Sequence, residues 1–288
     1  MRPTNLFSLL STYQPGSQAT PFENYCTSGL AHILSRGHHM LSALFSQAGG
    51  AHNEPLATVE VQPRIADAGV ADLLLTYEGG RRLIVEVRIE RPVPGESFVE
   101  FERAARDWSI DAGFVVLGLN PRPDPPWQAV RWIDVVEALD DDPDPISQQY
   151  RDFVLGDILG LSPTTLEEAL GSNRLFALGG AAVRRRFGED TMYANAASKP
   201  TGGRHRYTGT MFATTDLSEM DFWIGIVNET VPLGEHYHLM LAAKHGELPE
   251  QRKHPRALGD WSWQGWTGLG RVVRPITPAD FDRLLARI

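Results

Sequence analysis

The chain has 288 residues, of which 42% are hydrophobic and 22% charged, and its formal net charge is −9. This apolar fraction is ordinary for a chain that buries a core, and the length has room for roughly two domains. No apolar run approaches the roughly 20 residues of a membrane-spanning helix, and the first residues lack the order of a signal peptide. The one cysteine, Cys26, cannot form an internal disulfide, which agrees with a reducing compartment. We therefore expect a soluble, cytoplasmic protein.

Charge is distributed unevenly along the chain. Residues 1–171 hold 12 Arg and no Lys against 24 acidic residues, whereas residues 172–288 hold 12 Arg and 3 Lys against 12 acidic residues. The net charges are therefore −12 and +3, which is not the balance of a protein that coats nucleic acid nonspecifically. If the protein binds a polyanion, the second half is the better electrostatic candidate.

The predicted elements of the first half begin with a long amphipathic helix over residues 20–48. Thr20 is its expected N-cap, Glu23 is the expected capping-box partner, and Gly37 is an expected interruption. The further elements are strands over 57–63, 73–77 and 83–89, a helix over 97–107, a strand over 113–119, and a strand that runs into a helix over 131–139.

Two of these strands, over 73–77 and 83–89, form a predicted hairpin with carboxylates at one end. Asp72 opens the first strand, and the side chains of Glu86 and Arg88 alternate with apolar neighbours on the second. A solvated sheet face has the same pattern, so the alternation alone does not establish a site.

The spacing of an Asp at a strand start, a tight turn and Glu-x-basic on the next strand resembles the PD-(D/E)XK nuclease superfamily. Its restriction-endonuclease-like fold is α/β, with an α/β/α core in which helices flank a central mixed sheet. The resemblance implies that Asp72 and Glu86 bind the metal, with the Val87 carbonyl as a third ligand. Glu23 would lean toward the metal and bind through water or a second ion. Arg88 takes the position of the motif lysine.

The resemblance covers roughly residues 20–160 and implies Mg²⁺ or Mn²⁺ as the cofactor. Such an ion supplies an activated water and a counter-charge for phosphodiester hydrolysis. Arginine stays protonated, so Arg88 cannot be the general base, although it can hold the scissile phosphate. Glu90, on the same strand face, is an alternative contributor. An ion pair from Arg88 that fills the ion's place would count against catalysis.

We place the end of the first domain at residue 171, after an acidic loop over 140–145, interpreted as a solvated linker, and helices over 150–161 and 162–170. Residues 172–288 alternate short strand candidates with Gly, Pro and Asn turns, which predicts a smaller α+β domain with an antiparallel sheet. A helix over 278–288, capped by Thr277, ends it. The candidate nucleic-acid contacts in this domain are Arg184, Arg185, Arg204 and Arg206.

Two functional hypotheses follow. The first is a metal-dependent nuclease, an endodeoxyribonuclease that hydrolyses DNA in bacterial defence or restriction, with the second domain supplying recognition. The second is a nuclease fold that has lost activity and serves as a nucleic-acid or protein binding or sensor module. We expect nucleic acid, DNA first, as the partner, a protein partner through the second domain as an alternative, and no membrane; homo-oligomerisation stays open.

Overall fold

A computed structural model describes most of the chain, in two compact units, Met1–Val154 and Leu155–Ile288. The division falls before the sequence-based boundary at residue 171. None of the described helices is long and apolar enough to cross a membrane. The described residues are 7, 22–51, 54–89, 95–107, 111–163, 174–189, 191–197, 207–213, 222–227, 238–244, 261–263, 266–272, 275–286 and 288.

The first unit contains a five-stranded sheet and five α-helices among its described residues. Its helices are α1 Phe22–Ser35, α2 His39–Ala48, α3 Gly95–Asp107, α4 Trp132–Ala138 and α5 Pro145–Phe153. Its strands are β1 Leu56–Val61, β2 Leu73–Tyr77, β3 Arg82–Val87, β4 Ala112–Gly118 and β5 Gln128–Arg131.

The sheet of the first unit is mixed, with the strand order β1-β2-β3-β4-β5. The first three strands form an antiparallel meander, and β3, β4 and β5 run parallel. Helix α3 is the crossover that parallel neighbours such as β3 and β4 require. The predicted mixed α/β class is confirmed at this level.

Strand β3 is buried on both faces because α3 covers one of them. The aromatic residues Phe98 and Phe101 of α3 pack in one core cluster with Ile84 of β3 and Val116 of β4. Glu86 follows Ile84 by two residues, so it lies on the same face, and it is only 4% exposed. The alternative of a solvated sheet face is therefore excluded at Glu86.

The acidic loop between α4 and α5 is part of the packed structure. His38, the N-cap of α2, lies 2.6 Å from the Asp142 carboxylate, and Arg36 lies 3.2 Å from Asp144. Asp144 also caps α5, with Pro145 in the first turn. Residues 140, 141, 143 and 145 are exposed, as a solvated loop requires, but the loop lies within the first unit and is not a linker. Helix α5 starts before the predicted residue 150 because of this cap.

The expected interruption of the first helix at Gly37 is confirmed. Gly37 has φ +80°, a conformation that a side chain disfavours, and it separates α1 from α2. Thr20, the expected N-cap, lies outside the described residues.

The second unit contains a separate antiparallel sheet, as predicted, with the strand order β10-β11-β9-β8-β7-β6. Its strands are β6 Tyr193–Ala197, β7 Tyr207–Phe212, β8 Phe222–Val227, β9 His238–Lys244, β10 Trp261–Trp263 and β11 Trp266–Val272. Its α-helices, within the described residues, are α6 Arg174–Phe187 and α7 Pro278–Leu285. The predicted Thr277 cap of α7 is confirmed. Helix α6 was not expected, and most of the predicted helix over 162–170 lies outside the described residues.

We expect the core of the first unit to respond strongly to truncation at Leu75, which is fully buried in β2. Leu75→Ala should lower the free energy of unfolding by about 2–5 kcal/mol, because it removes buried methyl groups and leaves a cavity. Met40→Ala is the control, since Met40 is 59% exposed, and should change it by less than about 0.5 kcal/mol. Urea denaturation followed by circular dichroism measures both; equal effects would contradict this core assignment.

Candidate functional site

The hairpin register brings Asp72 and Glu86 together. Leu73 of β2 pairs with Val85 of β3, so Asp72, one residue earlier, lies beside Glu86, one residue later. The Asp72 carboxylate Oδ2 accepts a hydrogen bond from the Val87 amide at 2.8 Å. This backbone contact fixes the carboxylate at the end of β3.

The Arg88 guanidinium bridges the two carboxylates. Its Nη1 donates to Asp72 Oδ2 at 3.3 Å and to the Val87 carbonyl at 2.8 Å. Its Nη2 donates to Glu86 Oε2 at 2.8 Å. The three groups that accept from Arg88 are therefore the three metal ligands that the family resemblance implies.

Glu23 reaches the same place from α1. Its Oε1 accepts a hydrogen bond from the Ile89 amide at 2.9 Å, and its charge contributes to raising the pKa of Asp72. The structure thus brings together all four residues proposed from the sequence, Glu23, Asp72, Glu86 and Arg88, on α1, before β2, and at the end of β3.

The fold disfavours the ionised form of both hairpin carboxylates, Asp72 and Glu86. Burial, followed by the nearby charge of Asp72, raises the pKa of Glu86 to about 7, although Arg88 and the backbone amide of Asp72 oppose the shift. Burial also raises the pKa of Asp72, against the hydrogen bond from Val87 and the charge of Arg88. One guanidinium therefore compensates these carboxylates incompletely.

One oxygen at the site lacks a hydrogen-bond partner. Glu86 Oε1 is buried and has none among the described residues, while Glu86 Oε2 pairs with Arg88. A buried carboxylate oxygen without a partner costs free energy, and a cation, a proton or water would satisfy it. The site therefore fits a hard cation on this observation.

The donor set suits magnesium better than zinc or calcium. Within the described part of the chain, no three His, Cys, Asp or Glu side chains are grouped to hold a metal ion. Mg²⁺ commonly uses only one or two carboxylates and keeps several waters. Asp72, Glu86 and the Val87 carbonyl meet that requirement, but Arg88 occupies the same acceptors, which counts against catalysis.

The two described candidates for nucleic-acid contact differ in their surroundings. The Arg184 side chain is 11% exposed and lies 3.5 Å from Glu189, with its guanidinium 5.3 Å from the centre of the Tyr193 ring. Arg185 is more exposed and lies 2.9 Å from Asp282. Arg184 therefore has little surface to offer a phosphate. Outside the described residues lie Arg204, Arg206 and Glu90.

Sequence reasoning missed a surface cavity of about 430 Å³ between the start of α2 and the acidic loop. His38, His39 and Asp142 line part of it. Adjacent histidines and a run of aspartates were the available signals, but their proximity depends on how α2 and α4 pack. His38 binds the α2 backbone through Nδ1 and faces Asp142 through Nε2, which is sufficient as a structural role.

Comparison with models of protein families, with curated proteins and with solved structures finds no match for this chain. Function is therefore inferred from the geometry of the site.

The raised pKa of Glu86 predicts a pH-dependent stability. Above pH 4.5 the unfolded chain loses this proton, whereas the folded chain keeps it to about pH 7. The folded state then binds more protons, so the free energy of unfolding should fall as the pH rises through that window. At about 1.4 kcal/mol per pH unit, the fall is on the order of 3 kcal/mol.

Urea denaturation at a series of pH values, with a chelator present, measures this dependence. Glu86→Gln should give a shallower fall than the wild type. Glu100→Gln, at an exposed position of α3, should keep the wild-type dependence. Parallel curves for the wild type and Glu86→Gln would show that Glu86 titrates normally.

Proposed function

We propose that the first unit is a metal-dependent nuclease with a restriction-endonuclease-like fold, which hydrolyses phosphodiester bonds of DNA in defence or restriction. The order of helix, three-stranded meander, crossover helix and parallel strand supports the proposal, since it agrees with the core of that superfamily. The candidate residues also lie at the carboxyl end of β3, where parallel strands commonly present ligand sites.

The observation that carries the proposal is an excess of buried negative charge. Asp72 and Glu86 both contact the guanidinium of Arg88, and Glu23, bound to the Ile89 amide, is near enough to contribute to the charge around Asp72. When ionised, the three carboxylates leave two negative charges uncompensated, and Glu86 Oε1 has no partner among the described residues. Burying such a cluster of carboxylates destabilises the folded state unless a further cation binds.

The residues that would hold Mg²⁺ or Mn²⁺ are Asp72, Glu86 and the Val87 carbonyl, with Glu23 beside them. When bound, the ion supplies an acidified water and a counter-charge for the transition state. Asp72 is oriented for this role by the Val87 amide, and Glu23 by the Ile89 amide. Arg88, always protonated, binds and orients the phosphate rather than moving a proton.

A second candidate function is favoured by the Arg88 bridge itself. If the guanidinium permanently replaces the ion, the fold is a noncatalytic module that binds nucleic acid or a protein. In either case residues 172–288, which make up most of the second unit, are the proposed recognition part, because they carry a net charge of +3.

Cleavage of plasmid DNA with Mg²⁺ or Mn²⁺ tests the nuclease. Asp72→Asn and Glu86→Gln should each lower the rate by at least about 100-fold, because each removes a charge that holds the ion in the transition state. Matched controls are the exposed Asp67→Asn and Glu100→Gln, which should cleave like the wild type. An RNA oligonucleotide in parallel reactions determines the preferred nucleic acid.

Equal cleavage by the wild type, Asp72→Asn and Glu86→Gln would show that the activity lies elsewhere. No cleavage by the wild type with either ion, together with retained DNA binding, would instead establish the noncatalytic module.

A further inference from the structure

We propose that Arg88 competes with the metal inside the site, so that the ion binds firmly only when a nucleic-acid phosphate has drawn the guanidinium away. This inference rests on the proposed function, and it adds a regulation: the metal and the substrate bind cooperatively because one side chain must leave.

The two cations would share their acceptors. The guanidinium contacts Asp72 Oδ2, Glu86 Oε2 and the Val87 carbonyl at 3.3, 2.8 and 2.8 Å. These oxygens belong to the three groups that would hold a metal at the end of the hairpin, where Glu86 Oε1 is a further acceptor that Arg88 does not use. A metal at ~2.1 Å from the same oxygens leaves no room for the guanidinium, and two like charges there repel.

Arg88 is placed so that it can leave. Its side chain is 20% exposed, compared with 17% for that of Asp72 and 5% for that of Glu86, so the arginine side chain reaches solvent. By contrast, the Asp72 carboxylate is bonded to the Val87 amide, and Glu23 to the Ile89 amide. Asp72 and Glu23 stay fixed by backbone amides and Glu86 by its burial in β3, while the guanidinium has only side-chain and carbonyl acceptors to exchange.

A phosphate is a suitable alternative partner. Arginine binds phosphate with charge-assisted, often bidentate hydrogen bonds of the same kind as those to a carboxylate. Transfer of Arg88 from the acids to a phosphate would free Asp72 Oδ2 and Glu86 Oε2 for the ion. Because linkage is reciprocal, the metal must then raise the affinity for nucleic acid by the same factor as nucleic acid raises that for the metal.

The test measures Mn²⁺ binding to the full chain by the electron paramagnetic resonance of free Mn²⁺. Arg88→Met removes the competing charge and keeps most of the side-chain length, so the affinity for Mn²⁺ without nucleic acid should rise by roughly 5–150-fold, the usual range of such coupling. The control is Arg81→Met, since Arg81 pairs with Asp111 at the turn end of the hairpin. It should bind Mn²⁺ like the wild type.

A second experiment repeats the Mn²⁺ binding measurement with a short phosphorothioate DNA duplex present. The duplex with Mn²⁺ and without protein is the blank. The duplex should tighten Mn²⁺ binding to the wild type by a similar factor and to Arg88→Met much less, because no guanidinium remains to be displaced. If Arg88→Met fails to fold by circular dichroism, Arg88→Lys serves instead. Lysine makes fewer hydrogen bonds to the two carboxylates than arginine, so this variant should still bind Mn²⁺ more tightly than the wild type.

The outcomes separate this inference from the proposed function. Mn²⁺ binding that is lost in Asp72→Asn but is equal or weaker in Arg88→Met overturns the competition and leaves the nuclease proposal intact. Mn²⁺ binding that does not depend on Asp72 or Glu86 in any variant overturns the proposed function, and the competition with it.

Discussion

Burying carboxylates beside one another costs several kcal/mol for each charge unless a cation compensates them, and the candidate site depends on how this chain meets that cost. Arg88 bridges Asp72 and Glu86, yet one positive charge does not compensate three acids. The remaining imbalance appears in the raised pKa of Glu86, about 7, and in its partnerless Oε1. The same imbalance makes a divalent cation a suitable ligand.

The excess of negative charge follows from the way the helices and strands of the first unit pack. Helix α3 crosses from β3 to the parallel strand β4 and buries the sheet face on which Glu86 lies. The antiparallel register of β2 and β3 places Asp72 opposite, and the Ile89 amide anchors Glu23 from α1. The Asp72 and Glu23 carboxylates are therefore held by backbone amides at the sheet end, whereas Arg88 contacts two carboxylates and a carbonyl.

The two proposed functions, a nuclease and a noncatalytic binding module, require different behaviour of the Arg88 side chain. A permanent bridge explains a scaffold that binds without cutting, and a displaceable bridge explains a nuclease whose metal site completes itself on nucleic acid. The Arg88 side chain reaches solvent, with 20% exposure against 17% for Asp72 and 5% for Glu86, as displacement requires. In neither role does Arg88 replace a lysine as a proton acceptor, because its guanidinium stays charged.

The sequence alone determined the mixed α/β class, the hairpin around residues 78–81 and the Gly37 interruption, because these follow from local periodicity and turn chemistry. It also indicated the four site residues through their spacing. Only the tertiary structure decided that Glu86 is buried, since burial depends on α3, and that the acidic loop is tied to α2 through His38 and Asp142. The tertiary structure also decided which charged groups pair, above all that Arg88 pairs with Asp72 and Glu86. Alternation along a strand does not specify what covers its faces.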